Sequence, residues 1–311
     1  MAYSEKEYKK SITLGQSNNA LILLIAINLI VFVIFAFLGA VYHLRTENAE
    51  EASLIFHKSV LDWFTLPADI DKLGSRPWTI LTHMFLQERV WDLLGNMLWL
   101  WFFGYILQDM TGNRKIFPVF LYAAFFGAVF FLLASNLLPD LRVHAANSYI
   151  TGASAGIMGI AVAATVIAPG YRIFPMLNGG IPIWVLTGIY VVVDLATVPD
   201  NNMTAHIIAH LAGALTGFLF IYSYQKGYDW GSWMNNFFDW VNNLFNPDKP
   251  RKKTRIKQEL FYKSTTRPFT KTPNVTEQRV DEILDKINQK GYGSLTDEEK
   301  ELLKRASREN L

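Results

Sequence analysis

The chain has 311 residues, of which 51% are hydrophobic and 14% aromatic, and its formal net charge at pH 7 is +2. A soluble protein is usually less apolar, and so small a net charge argues against nucleic-acid binding through a whole-chain electrostatic field. The chain has no cysteine, which excludes disulfides, thiol catalysis and cysteine-held metals.

Six apolar segments are predicted to be membrane helices, since about 20 apolar residues cross the bilayer core as a helix. The second and fifth are short and polar-edged, which favours positions inside a bundle. The first is followed by further spans and is interpreted as an uncleaved anchor. The predicted spans are Ala20–Tyr42, Asp92–Gln108, Ile116–Leu138, Thr151–Pro169, Ile181–Val198 and Met203–Tyr224. The predicted fold class is therefore all-α, a polytopic membrane protein.

The lysines and arginines of the connections predict the orientation in the membrane. They concentrate before the first span, after the second, fourth and sixth, and the other connections are rich in acids. Cytoplasmic loops carry the excess of lysine and arginine. Both termini are therefore predicted to face the cytoplasm.

The remaining segments define the predicted domain organisation. A cytoplasmic tail (1–19) precedes the membrane domain (20–225), whose outer loop is 43–90. An aromatic interfacial helix and a basic flank (226–257) follow, the flank suiting either anionic lipid or a stop-transfer signal. After a linker (258–275), residues 276–311 are predicted to form a helical hairpin. So small a hairpin has little core, so it is expected to dock on a cytoplasmic partner.

Three polar residues fall at similar depths in these helices. Ser154 lies near the outer end of the fourth span, His210 about two turns into the sixth, and Asn96 about one turn into the second. A neutral imidazole beside a hydroxyl can take its proton during nucleophilic attack. Gly152-x-x-x-Gly156 and Gly213-x-x-x-Gly217 would let two helices approach closely. The alternative remains that Ser154 bonds its own helix backbone and the glycines only pack helices.

These motifs resemble those of a known family. Gly152-Ala-Ser-Ala-Gly156 and Ala209-His-Leu-Ala-Gly213, with Thr82-His-Met-Phe-Leu-Gln87 and Leu93-Leu-Gly-Asn96 before them, resemble the rhomboid intramembrane serine proteases over residues 20–225. The tail, Asp281 to Lys300, is similar to a cytoplasmic extension in one bacterial branch. The resemblance implies a six-transmembrane-helix rhomboid-like bundle with a small C-terminal helical hairpin, in a bacterial inner membrane.

The resemblance also implies the chemistry. Ser154 would be the nucleophile and His210 the general base, while the Ser154 backbone amide and the Asn96 side chain would bind the oxyanion. Substrates would be transmembrane proteins cut near the outer membrane face. No metal or cofactor is expected, because this chemistry needs none, and no nucleic-acid motif is present.

Four positions depart from the family pattern. Asp92 and Gln87 stand where histidines are common, Thr79 where an arginine often follows Trp78, and Gln108 where a glutamate is common. An ionised Asp92 would repel an oxyanion, so Asp92 is expected to face water. A catalytically inactive rhomboid-like protein that binds membrane helices is therefore the alternative function. A transporter is disfavoured, because the spans contain no inverted repeat and no relay of acids.

Two further residues compete for a place in the site. His206 lies one turn before His210 and could serve as the base, but Gly213 and Gly217 follow His210 in the family pattern. Asp194, near the outer end of the fifth span, could complete a triad. Its position near a span end favours the interpretation that it faces water. His83 is interpreted as a packing residue of the outer loop.

Overall fold

The computed structural model describes residues 19–173, 179–197, 203–244 and 277–309. Two compact units divide the chain, Met1–Asn246 and Pro247–Leu311. The helices of the first unit are α1 (Ala20–Arg45), α2 (Ala49–Ser59), α3 (Ile70–Ser75), α4 (Thr79–Thr82), α5 (Val90–Thr111), α6 (Ile116–Leu137), α7 (Pro139–Arg142), α8 (Ser154–Ile167), α9 (Ile183–Ala196), α10 (Met203–Gln225) and α11 (Ser232–Leu244). Its strands are β1 (Leu66–Pro67), β2 (Tyr149–Ile150), β3 (Arg172–Ile173) and β4 (Ile181–Pro182), which form two antiparallel pairs, β1–β2 and β3–β4.

Apolar helices occupy all six predicted spans. Within the described ranges, four helical segments are long and apolar enough to cross a membrane: Ala20–Arg45, Val90–Thr111, Asn113–Leu137 and Met203–Gln225. Helices α8 and α9 have 14 residues each, about 21 Å of helix against a bilayer core of about 30 Å. The prediction of a short second span was wrong, because α5 has 22 residues, and the fourth is short instead. The chain is an all-α polytopic membrane protein.

Helix α8 can be short because protein surrounds it. Most of its residues are buried, and several are alanine or glycine, whose small side chains let neighbouring helices come close. The buried positions are Ala155, Gly156, Ile157, Met158, Gly159, Ile160, Ala161, Ala163 and Ala164. Since little of α8 faces lipid, its length need not match the bilayer, and its first residue can lie within the protein.

The close contact between α8 and α10 depends on glycines, which have no side chain. A Cβ added at Gly213 would overlap the backbone oxygen of Ala155, and one added at Gly217 would overlap that of Gly159. The predicted use of Gly152-x-x-x-Gly156 as the matching face was wrong. Gly152 precedes the helix, with a φ of +105°, and a Cβ at Gly156 would meet the ring of Phe120 on α6, at 2.7 Å.

The outer loop is fastened to the segment just before α8. In the β1–β2 pair Leu66 faces Ile150 and Pro67 faces Tyr149, and the Gly152 N–H donates to the His83 carbonyl oxygen at 3.0 Å. Elsewhere in the loop, the Trp63 and Trp78 rings stack with centroids 6.1 Å apart. The start of α8 is therefore positioned by a part of the chain that lies about 70 residues earlier.

The opposite end of the bundle carries α11. Lys115, at the start of α6, pairs with Asp229, and Arg114 lies 3.5 Å from Asp239. The aromatic residues of α11 are exposed: Trp233, Phe237, Phe238 and Trp240. Such a helix suits the membrane–water interface. The basic run at 251–257 and the linker at 258–275 lie outside the described residues.

The described residues of the second unit form two helices, α12 (Glu277–Lys290) and α13 (Asp297–Glu309). Gly291, with a φ of +78°, follows α12. Lys286 donates to Glu299 at 2.7 Å, which joins the helices. This hydrogen bond and one from the Thr296 backbone N–H hold the pKa of the Glu299 carboxyl at about 2. Ile283, Leu295 and Ala306 are buried, whereas Leu284 is exposed.

The contact of Gly213 with α8 predicts that two glycine-to-alanine substitutions have opposite effects on stability. Gly213→Ala should destabilise the protein by about 1–3 kcal/mol, because the added methyl group forces α10 away from α8. Gly188→Ala on α9 is the matched control, since nothing lies within 4 Å of its added Cβ, and alanine is the better helix former. Thermal unfolding in detergent measures both. Equal midpoints for the two variants would contradict this packing.

Candidate active site

Ser154 is the first residue of α8, directly after the turn at Gly152 and Ala153. The positive φ of Gly152 suits glycine, because a side chain is strained in that region. The backbone N–H groups in the first turn of a helix have no partner within the helix and carry partial positive charge. The sequence therefore places a hydroxyl where backbone donors converge.

His210 lies beside this hydroxyl. Its Nε2 is 2.9 Å from the Ser154 Oγ, and the residue is buried on α10. The alternative histidine, His206, lines the same cavity, and its ring packs edge-on against Phe131 with a centroid separation of 5.6 Å. The structure thus places His210, rather than His206, at hydrogen-bonding distance from the serine.

Asp194 is not a water-facing residue, contrary to the sequence interpretation. Its Oδ2 lies 2.6 Å from the His210 Nδ1, and both side chains are less than 10% exposed. The contact is bent, since it meets the distance of an ion pair without meeting the angles of a hydrogen bond. Long or poorly aligned catalytic hydrogen bonds are common in enzymes without substrate.

The sequence did contain a signal for Asp194. The buried residues of α9 are Ile183, Thr187, Tyr190 and Asp194, whose spacings of four, three and four residues form one helical face. The Tyr190 hydroxyl donates to the Ser154 carbonyl oxygen at 3.3 Å. The face that carries Asp194 is therefore the face that α9 turns toward α8.

Asn96 and Gln87 form a polar pair in the same cavity. The Asn96 Nδ2 donates to the Gln87 Oε1 at 3.0 Å. Gln87 is buried, and its Nε2 has no hydrogen-bond partner among the described residues. Gln87 thus fixes the orientation of the Asn96 amide, and one of the two Asn96 N–H bonds is left for another acceptor.

Asp92 has a cationic neighbour that the sequence analysis missed. Its Oδ2 accepts a hydrogen bond from the Arg89 Nε at 2.8 Å, and the Asp92 side chain is 35% exposed. Arg89, at the position before α5, therefore offsets the negative charge expected to weaken oxyanion binding. An i, i+3 spacing of opposite charges at a helix start was the available signal.

These residues line one cavity of about 490 Å³. Three acidic residues, one arginine and several polar groups surround Ser154, so the cavity can hold water and a polar peptide backbone. Among its lining residues are Gln87, Glu88, Arg89, Asp92, Asn96, Thr151, Ser154, Tyr190, Asp194, His206 and His210. Within the described ranges, no group of three or more histidine, aspartate or glutamate side chains is arranged to hold a metal ion.

The fold and site define a polytopic membrane protein with a serine–histidine pair inside its helical bundle. Residues 74–226 match the Rhomboid domain, so this part of the chain belongs to the rhomboid family. Residues 271–309 match a family of unknown function (DUF6576).

Curated relatives include the Rhomboid protease GlpG of Salmonella newport (strain SL254) and that of Salmonella heidelberg (strain SL476). Each is 31% identical over 64 residues, 21% of this chain. The match spans 23% of the length of each relative.

His83 supports the site from the outer loop, as its interpretation as a packing residue implied. It is 2% exposed, its Nδ1 lies 2.9 Å from the Thr79 carbonyl oxygen, and its own carbonyl oxygen accepts from Gly152. Burial lowers the pKa of His83 to about 4. The imidazole therefore stays neutral in the folded protein at pH values where an unfolded chain is protonated.

This pKa predicts a pH dependence of stability. As pH falls, His83 is protonated near pH 6.5 in the unfolded state and only near pH 4 in the folded state. The contribution of His83 to the free energy of unfolding is therefore constant above pH 6.5 and falls between those two pH values, by about 3 kcal/mol in total. His83→Asn retains a donor for Thr79 but cannot titrate. Its thermal midpoint should fall less than that of the wild type between pH 7 and pH 4, and parallel curves would contradict the assignment.

Proposed function

We propose that the protein is an intramembrane serine endopeptidase that cleaves transmembrane-helix substrates near the outer membrane face through a Ser154–His210 dyad. The observation that carries the proposal is the 2.9 Å separation between the Ser154 Oγ and the His210 Nε2 in a polar cavity. Membership of the rhomboid family and relatives named rhomboid proteases support the same reaction.

The reaction begins with attack of the Ser154 Oγ on the carbonyl carbon of the substrate peptide. His210 takes the hydroxyl proton at Nε2 and then donates it to the leaving amine when the peptide bond breaks. The resulting ester on Ser154 is hydrolysed by a water molecule, which His210 deprotonates in the same way. The proton returns to the serine, so the enzyme ends the cycle in its starting form.

The negative charge on the carbonyl oxygen needs donors that are already in position. The Ser154 backbone N–H is at the start of α8, and the Asn96 amide, oriented by Gln87, lines the same cavity. Donors fixed before the reaction stabilise the oxyanion without rearrangement. The Asp92–Arg89 pair keeps the neighbouring charge close to neutral, which favours an active enzyme over the inactive alternative.

A substrate helix must unwind before it can be cut, because an intact helix uses its own carbonyl groups in hydrogen bonds. We therefore expect cleavage at small or helix-breaking residues. The lysine and arginine distribution supports cytoplasmic termini, and with both termini cytoplasmic Ser154 lies toward the outer face. The similarity of the tail to a bacterial extension favours an inner-membrane location, and we expect the hairpin to bind a cytoplasmic partner.

The nucleophile assignment is tested with purified protein and a single-span model substrate in liposomes. Ser154→Ala should abolish cleavage and labelling by a fluorophosphonate, because the variant lacks the hydroxyl that forms the ester. Ser53→Ala is the matched control, on an exposed part of the outer loop. Equal cleavage by wild type and Ser154→Ala would refute the proposal, and a wild type that binds but never cuts would favour the inactive alternative.

The oxyanion assignment makes a separate prediction. Asn96→Ala should lower kcat by about 10²–10³-fold with little change in KM, because its amide binds the charge that develops in the transition state. Asn236→Ala, on exposed α11, should leave both constants unchanged. If Asn96→Ala cleaved as fast as the wild type, the oxyanion would have other donors.

A further inference from the structure

A serine–histidine dyad leaves one atom of the site without an assigned role. For the His210 Nε2 to accept the serine proton, it must carry a lone pair, so the ring proton of the neutral imidazole must be on Nδ1. Within the described residues, the atom facing Nδ1 at close range is the Asp194 Oδ2, 2.6 Å away. A carboxylate can only accept at that position, so it favours the tautomer that the reaction requires.

The placement of Asp194 is built into the fold. One helical turn earlier on α9, the Tyr190 hydroxyl donates to the Ser154 carbonyl oxygen, and the Tyr190 ring packs 5.1 Å from that of Trp99. One further turn back, the Thr187 hydroxyl lies 2.6 Å from that of Thr165 on α8. These contacts fix α9 against α8 and α5, so that its last turn brings Asp194 to His210.

Burial makes this contact informative. An ionised carboxylate removed from water is costly unless a charge or donor compensates it. The Asp194 side chain is 7% exposed and that of His210 6%. Because both are shielded from water, each compensates the charge of the other. The compensation is greatest when His210 holds the serine proton and is positively charged, which is the state formed during the reaction.

We propose that Asp194 is a positioning residue for His210 and that the site operates as a Ser154–His210–Asp194 triad. This inference rests on the proposed protease function. The proton still moves only between the Ser154 Oγ, the His210 Nε2 and the leaving amine. Asp194 takes no part in the proton transfer; it orients the ring and stabilises the charge that His210 acquires.

The test compares full-length wild type, Asp194→Asn, Asp194→Glu and, as a matched control, Asp140→Asn on exposed α7. Asparagine has the shape of aspartate but can donate to Nδ1, which moves the ring proton to Nε2. We expect kcat of Asp194→Asn to fall by about 10²-fold or more while KM changes less than about threefold. Asp194→Glu should recover part of the loss, and Asp140→Asn should match the wild type.

A second readout does not depend on cleavage. Nitrogen-15 NMR of histidine-labelled protein reports which ring nitrogen carries the proton, with His210→Gln to assign the signal. The wild type should show the Nδ1–H form, and Asp194→Asn should shift toward the Nε2–H form at an unchanged thermal midpoint.

The outcomes separate this inference from the function on which it rests. If Asp194→Asn left both kcat and the His210 tautomer unchanged, the triad would be overturned. The proposed protease function would still stand, provided that the wild type cleaves the substrate and Ser154→Ala does not. A loss of activity that tracks a fallen thermal midpoint and is not recovered by glutamate would also overturn it, because Asp194 would then be only structural. Equal behaviour of wild type and Ser154→Ala would refute the protease and the triad together.

Discussion

The close approach of α8 and α10 is the constraint on which the site depends. Where Gly213 and Gly217 meet Ala155 and Gly159, there is no room for a single added methyl group. This contact sets the separation of two helices that carry Ser154 and His210, residues 56 positions apart in the sequence. A hydrogen bond between two side chains tolerates errors of only a few tenths of an ångström, so the backbone contact has to be just as exact.

Much of this arrangement could be predicted from the sequence. Apolar segment lengths located the six helices, and the serine and histidine motifs indicated which two residues meet. The glycine pattern predicted a close contact between their helices but assigned the wrong partner. Gly152 lies in a turn with positive φ and not on a helix, and a sequence spacing alone does not reveal where the helix begins.

Polar side chains near the helix ends were harder to predict. Asp194 was interpreted as facing water because span ends are usually hydrated, whereas the packing of Tyr190 on α8 turns that helical face inward. Asp92 was expected to face water, and its effect on the oxyanion was left open because its charge was considered alone, although the Arg89 Nε lies 2.8 Å from its Oδ2. In both cases the environment of a charge depends on the neighbour that covers it, which hydrophobic periodicity does not specify.

The hydrogen bond from Gly152 to His83, together with the β1–β2 pair, has a consequence for biosynthesis. The turn before Ser154 takes its shape from the outer loop, which is synthesised earlier, whereas His210 arrives only with α10. Ser154 and His210 therefore come together only once α10 has been made and packs against α8. Until that contact forms the proposed dyad is incomplete, so a chain that has inserted only α1 to α9 still lacks its proposed general base.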